Sequence, residues 1–271
     1  MSDIGARRRR RPHVLLGCCG SVASVKVPAL VNALSCLGEV RVVATDAALA
    51  FMGNGPYCAK ERRTVAAKYD AEEWDAFAAR TANGTDDPAS VHVLTDRDEW
   101  REVAEVGDKV LHIELRRWAD VFVVAPCSAN TLAKLANGLS DNLLTCVARA
   151  WPIGTRPLLC AAAMNTAMWE HPFTAKHVST LREELGVLFV PPVAKRLACG
   201  DVGMGALASV ASIVGAVRGA IAGGICEGRG DSPCVGAGAG IDVGTSAAGG
   251  ADSSAVEERK NNSRKRSKQD A

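Results

Sequence analysis

The chain has 271 residues, with 32 Lys and Arg against 30 Asp and Glu, a net charge of +2 and 48% hydrophobic residues. That is enough apolar material for one core-bearing domain plus tails, and no apolar run approaches the ~20 residues of a bilayer span. The charge by itself argues neither for nor against nucleic acid; no nucleic-acid or membrane partner is expected.

The N-terminal "MSDIGARRRRRP" has five arginines but no apolar segment behind them, so it does not read as a signal peptide. Residues 1–11 are expected to be a disordered basic end. "HVLLGCCG" reads as a short buried strand ending in glycine. "SVASVKVPALVNALSCLG" follows with apolar residues at helical spacing, Ser21 as N-cap and Gly38 as the stop. "EVRVVAT" is a second, β-branched strand, and a strand–helix–strand unit of this kind predicts a parallel sheet covered by helices. Residues 53–90 have weak periodicity and read as a surface insertion with a short helix at "DAEEWDAFAAR". The alternation resumes with the strand "DVFVVAP", helices at "SANTLAKLANG" and "SDNLLTCVARAW", the strand "RPLLCAAAM", a helix at "TAKHVSTLREELG", the strand "VLFVPP" and a final helix at "ASVASIVGAVRGAI". The whole predicts an α/β layered sheet over residues 12–222. Residues 223–271 are rich in Gly, Ala and Ser, then basic, and are expected to be a disordered tail.

The ten cysteines include no CxxC and no Cys/His pair at zinc spacing, so reduced thiols in a cytoplasmic protein are expected; the basic ends are compatible with nuclear import. Several strings carry chemistry. "GCCGSVAS" turns from a strand end into a helix start, where free N–H groups favour phosphate, although the spacing is not GxGxxG; a plain tight turn reads equally well. "APCSANT" does the same, with Ser128, Asn130 and Thr131 at the carboxyl edge of the sheet, where open α/β sheets place ligands; Ser128 also reads as a plain helix N-cap, and the two readings are compatible. In "LHIELRRWAD", His112 can move protons and Arg117 can clamp an anion; both are also ordinary surface residues. In "AAAMNTAMWEHP", Asn165 can read a carboxylate or amide, while Met164, Met168 and Trp169 read as core. "LACGDVGMGA" sets Cys199 just ahead of Gly200, Gly203 and Gly205, glycines dense enough to predict a turned or mobile backbone and no strand.

Together with "ATDAALAF", "TDRDEW" and "PPVAKRLACGDVGMGA", these strings resemble the phosphopantothenoylcysteine decarboxylases, a branch of the homo-oligomeric flavin-containing cysteine decarboxylases. The resemblance covers nearly all of residues 13–220 outside 53–90. It implies a Rossmann-like (flavodoxin-like) three-layer αβα fold, FMN as cofactor, and a homotrimer with active sites between subunits. It implies FMN contacts at Gly20, Ser21, Val22, Thr45, Asp46, Ala47, Phe51, Ser128, Ala129, Asn130, Thr131 and Ala163. It makes His112 catalytic, Asn165 both catalytic and substrate-reading, and Cys199 the reactive cysteine of a loop closing over substrate, with Arg196, Leu197 and Ala198 contacting substrate there. The implied reaction is decarboxylation of 4′-phospho-N-pantothenoylcysteine to 4′-phosphopantetheine, in coenzyme A biosynthesis. Ala162 stands where the family usually has proline. The alternative is a regulatory relative that binds and inhibits a protein phosphatase.

Overall fold

Strand β1 (His13–Cys18) is buried on both faces, which requires helices on both sides of its sheet. In the computed structural model, which describes residues 10–52, 71–82, 90–101, 109–196 and 202–224, β1 lies inside a six-stranded sheet. It pairs in parallel with β2 (Glu39–Ala44) and, on its other edge, with β4 (Val121–Cys127). The short β3 (His92–Leu94) extends the sheet beyond β2, and β5 (Leu158–Ala162) and β6 (Leu188–Val190) extend it beyond β4. The order β3-β2-β1-β4-β5-β6 is that of a doubly wound Rossmann sheet, and it reverses between β1 and β4.

Alternation along the strands builds two cores. Val14, Leu16, Val121, Val123 and Leu159 pack against α1 (Val27–Ser35) and α10 (Val210–Gly224) through Leu30, Leu34, Ile213 and Val217. Leu15, Phe122, Val124 and Leu158 pack on the other face against α5 (Leu111–Trp118), α6 (Ala129–Ala136) and α7 (Leu143–Arg149), through Leu115, Leu132, Leu144 and Val147.

Three details differ from the sequence reading. The first helix does not run unbroken from Ser21: a 3-10 turn, Val22–Lys26, comes first, and α1 begins with Pro28 in its first turn. Proline has no N–H to give the preceding turn, so it restarts the helix instead of continuing it. Within 53–90, helix α3 (Ala71–Ala82) is more than a surface element, because Phe77 is buried in the α1-side core and Arg80 donates to Asn32 Oδ1 at 2.7 Å. The third difference is a correction. "VGMGA", expected to be turned backbone, forms β8 (Val202–Ala206), antiparallel to β7 (Val193–Arg196). The glycines serve close approach here: Gly205 has φ +136° and packs on the Met164 carbonyl, where a Cβ has no room. Of the ends expected to be disordered, residues 1–9 and 225–271 lie outside the described residues; Arg10 and Arg11 lead into β1, and α10 runs on to Gly224. Among the described residues, no helix is long and apolar enough to cross a membrane.

The start of β1 is pinned by Asp120, which accepts from the Arg10 guanidinium at 2.6 and 2.8 Å and from the His13 N–H at 2.8 Å. Burial raises the Asp120 pKa, but these bonds and charges outweigh it and hold the carboxyl below its ordinary value. A depressed carboxyl stabilises the fold above its unfolded-state pKa and loses that contribution as pH falls through the folded one. Asp120→Asn is therefore expected to cost about 1 kcal/mol near neutral pH. Its melting temperature should converge on that of the parent in acid; a gap unchanged with pH would exclude this account.

Candidate active site

Because the strand order reverses between β1 and β4, the chains leaving their carboxyl ends diverge and open a crevice. A cavity of about 440 Å³ occupies it, a volume in the range of small-molecule sites. The exit from β1 supplies Gly20, Ser21 and Val22, the exit from β4 supplies Ser128, Ala129 and Asn130, and the exit from β5 supplies Ala163 and Asn165; Phe51 closes one side from α2 (Asp46–Phe51). At Gly20 an added Cβ would sit 2.6 Å from the Ala47 Cβ, so the loop can pass the start of α2 only without a side chain.

Local hydrogen bonds hold these turns. Ser21 Oγ accepts from the Ala23 N–H at 3.3 Å and donates to the Ala163 carbonyl at 3.3 Å, tying the β1 exit to the β5 exit. Ser128 Oγ caps α6 by accepting from the Thr131 N–H at 3.3 Å, and the Ser128 N–H donates to Cys19 Sγ at 3.0 Å. Asn165 caps the short α8 (Thr166–Trp169) through Oδ1, which accepts from the Ala167 N–H at 2.8 Å. Met164 and Met168, read from sequence as core, both line the cavity; Met164 also packs against the α5-side core, whereas Met168 is 49% exposed. α8 is a single turn whose described residues are all outside the core, so its methionine has no apolar layer to enter.

Thr45, Asp46, Ala47 and Thr131 do not line the cavity. Thr45 Oγ1 is used in capping α2, accepting from the Ala48 N–H at 3.2 Å, and Thr131 is buried behind Ser128. Asp46 Oδ1 is a buried acceptor with no hydrogen-bond partner among the described residues.

His112 and Arg117 also lie outside this chain's cavity, on α5. Arg117 is exposed and pairs with Glu114 at 2.7 Å. His112 belongs to a dyad that sequence reasoning missed. Its Nδ1 lies 2.6 Å from Glu99 Oε1, and its backbone N–H donates to Glu99 Oε2 at 3.1 Å. Glu99 comes from α4 (Asp96–Arg101) and is only 8% exposed. It also does the work of a cap, since Val110, the N-cap of α5, makes no side-chain cap bond. A carboxylate at Nδ1 fixes the proton there and leaves Nε2 as the basic nitrogen. Nearby, burial raises the Asp96 pKa; the Leu143 N–H bond opposes this, and the charges of Asp46, Asp141 and Glu99 add to it.

The cavity's charged lining residues are two lysines that the sequence reading did not single out. Lys26 ends the 3-10 turn, and Lys195 lies on β7. Burial lowers the Lys26 pKa, and the charge of Lys195 lowers it further. Arg196 follows on the same strand, its backbone paired with Val202. Leu197, Ala198 and Cys199 lie outside the described residues.

A family profile described as Flavoprotein matches residues 4–222. The chain belongs to the flavoprotein family. This flavoprotein is 45% identical over 208 residues to a phosphopantothenoylcysteine decarboxylase of Oryza sativa subsp. japonica, covering 77% of this chain and 80% of that protein. It is 46% identical over 209 residues to one of Arabidopsis thaliana, covering 77% and 85%. Among solved structures it is similar to a cysteine-to-serine mutant PPC decarboxylase complexed with pantothenoylaminoethenethiol, with TM-score 0.62, 43% identity and coverage of 77% and 97%. It is likewise similar to the FMN binding protein AtHal3, with TM-score 0.59, 44% identity and coverage of 77% and 96%.

Proposed function

We propose that this flavoprotein catalyses the FMN-dependent decarboxylation of 4′-phospho-N-pantothenoylcysteine to 4′-phosphopantetheine, a step of coenzyme A biosynthesis, from a cytoplasmic location. The decarboxylase domain is read as residues 12–222. The observation that carries the reading is the cavity at the β1/β4 crevice, in a chain 45% and 46% identical to enzymes of that name.

The residues present fit FMN. Gly20 leaves the β1 exit bare, the caps at Ser21 and Ser128 present helix starts and hydroxyls for a phosphate and a polyol, and Val22, Phe51 and Met168 supply apolar surface for a ring. Asp46, with its unpartnered acceptor, suits a hydroxyl donor. Bound FMN supplies a reversible hydride acceptor, which lets a carbon bearing a thiol be oxidised and later reduced with no net redox change.

Around that chemistry the chain's own residues handle protons and orientation. Nε2 of His112, left free to accept by the contact of Nδ1 with Glu99, accepts the proton of the substrate thiol. Once the substrate carbon stands at the thioaldehyde level, its C=S bond would take up the electrons released with CO₂ and yield an enethiol. Asn165, held at the start of α8, reads the carboxylate end of the substrate. Cys199 delivers the final proton to carbon as the hydride returns. The solved cysteine-to-serine relative, holding an aminoethenethiol, supports an enethiol on this route.

We further propose a homotrimer in which one copy's His112 completes the cavity of the next. What supports this is that His112 is partly exposed yet lies outside the cavity of its own chain, while Glu99 behind it is buried.

Incubating the purified protein with phosphopantothenoylcysteine while counting CO₂ and phosphopantetheine tests the function. The protein is expected to be yellow with FMN, to release both products without added nicotinamide, and to elute as a trimer. A colourless protein that takes up no FMN, an extracted FAD, or no CO₂ would exclude the reading.

A further inference from the structure

We propose that Lys26 and Lys195 together form a phosphate subsite of the cavity, one that reads the terminal phosphate dianion of the substrate and sets it apart from its dephosphorylated form. The inference rests on the function proposed above and deepens it.

Four observations carry it. Both lysines line the cavity, and among the described residues no carboxylate does. Neither ammonium makes an ion pair or hydrogen bond among the described residues, whereas Lys134, elsewhere on the surface, is held by Asp141 at 2.6 Å. Lys26 is half-buried and feels the like charge of Lys195, so both burial and repulsion disfavour its charged form. Such a pair is costly as a structural element and becomes favourable when a dianion lies between the two charges. Among the described residues the rest of the lining is apolar or neutral, so these two lysines are its charged anchors.

The two lysines come from different parts of the fold. Lys26 is fixed at the end of the 3-10 turn that leads into α1, and Lys195 stands on β7 of the hairpin that continues towards Cys199. A phosphate held by both ties the hairpin to the sheet.

The test uses the flavin-loaded protein and two probes without the cysteine, 4′-phosphopantothenate and pantothenate, with binding followed by calorimetry. The parent protein is expected to prefer the phosphorylated probe strongly. Lys26→Gln and Lys195→Gln should each reduce that preference by about 10- to 100-fold, with pantothenate affinity and flavin content unchanged. Lys26→Arg should restore most of it. In turnover, the glutamine variants should raise KM more than they lower kcat. If both glutamine variants keep the parent's preference, the lysines do not read the phosphate and the proposal falls. If they lose FMN instead, the pair serves the cofactor's own phosphate, and the proposal falls equally. A protein that prefers phosphopantothenate through these lysines, yet releases no CO₂ from phosphopantothenoylcysteine, would uphold the subsite and overturn the proposed reaction.

Discussion

His112→Asn is expected to retain FMN and to lose substrate oxidation by about 10²- to 10⁴-fold, the usual scale for removing a general base. Asparagine has no titratable nitrogen and cannot take the thiol proton. The helix should survive, because the bond from the residue 112 N–H to Glu99 Oε2 is a backbone bond that the substitution keeps. The Glu99→Gln variant separates positioning from folding. Its amide still offers an oxygen to that N–H, but where it presents NH₂ to Nδ1 it moves the ring proton to Nε2, so the imidazole faces the substrate with the wrong tautomer. A loss of about 10- to 100-fold in oxidation rate is expected, with a changed pH profile and near-normal flavin content. Glu99→Asp should recover part of it. Anaerobic stopped-flow bleaching of the flavin reads the step directly. If Glu99→Gln lowers the melting temperature and leaves the bleaching rate and its pH profile intact, Glu99 only caps α5. If His112→Asn bleaches at the parent rate, His112 is structural.

What was legible in the sequence follows from how many physical demands a residue meets locally. β1 and β4 are readable because both their faces are buried, which leaves continuous apolar runs ended by turn residues. Ser21 and Ser128 are readable because capping is decided within three residues of the cap. Glu99 is not readable in this way. It lies 13 residues before His112 on another helix, and only the docking of α4 on α5 brings its carboxylate to Nδ1. The lysine pair escapes for the same reason: Lys26 and Lys195 meet across the crevice from opposite ends of the domain. β8 misled because glycine was read through its freedom, whereas Gly203 and Gly205 serve contact. A Cβ at Gly203 would lie 2.6 Å from Thr166 Oγ1, so the strand lies flush on α8 only because those side chains are missing. These three misses are tertiary contacts overriding a local rule, and the lysine pair and β8 gather at the cavity, where side chains are placed for a ligand as well as for the fold.

Cys199→Ser should stop the reaction at its last proton transfer. Cys199 lies in the segment between Arg196 and Val202, which are paired, and the same hairpin lines the cavity through Lys195, Gly205 and Ala206. A serine hydroxyl is nearly isosteric with the thiol but far less acidic, the thiol having a pKa of ~8.5. FMN binding should persist, because the turns proposed to hold the cofactor leave β1, β2, β4 and β5 and do not include this segment. Oxidation and loss of CO₂ should persist too, because His112 acts before the cysteine is needed. What fails is delivery of a proton to the enethiol carbon. Without it the hydride cannot be returned, so the variant should release a single burst of CO₂ per site and stall with its flavin bleached and an enethiol bound. Stopped-flow absorbance, CO₂ counting and mass analysis of the trapped product check this together. Steady production of phosphopantetheine by Cys199→Ser would remove the cysteine from the proton path. Failure to bleach the flavin at all would move its role forward, to binding or orienting the substrate before oxidation.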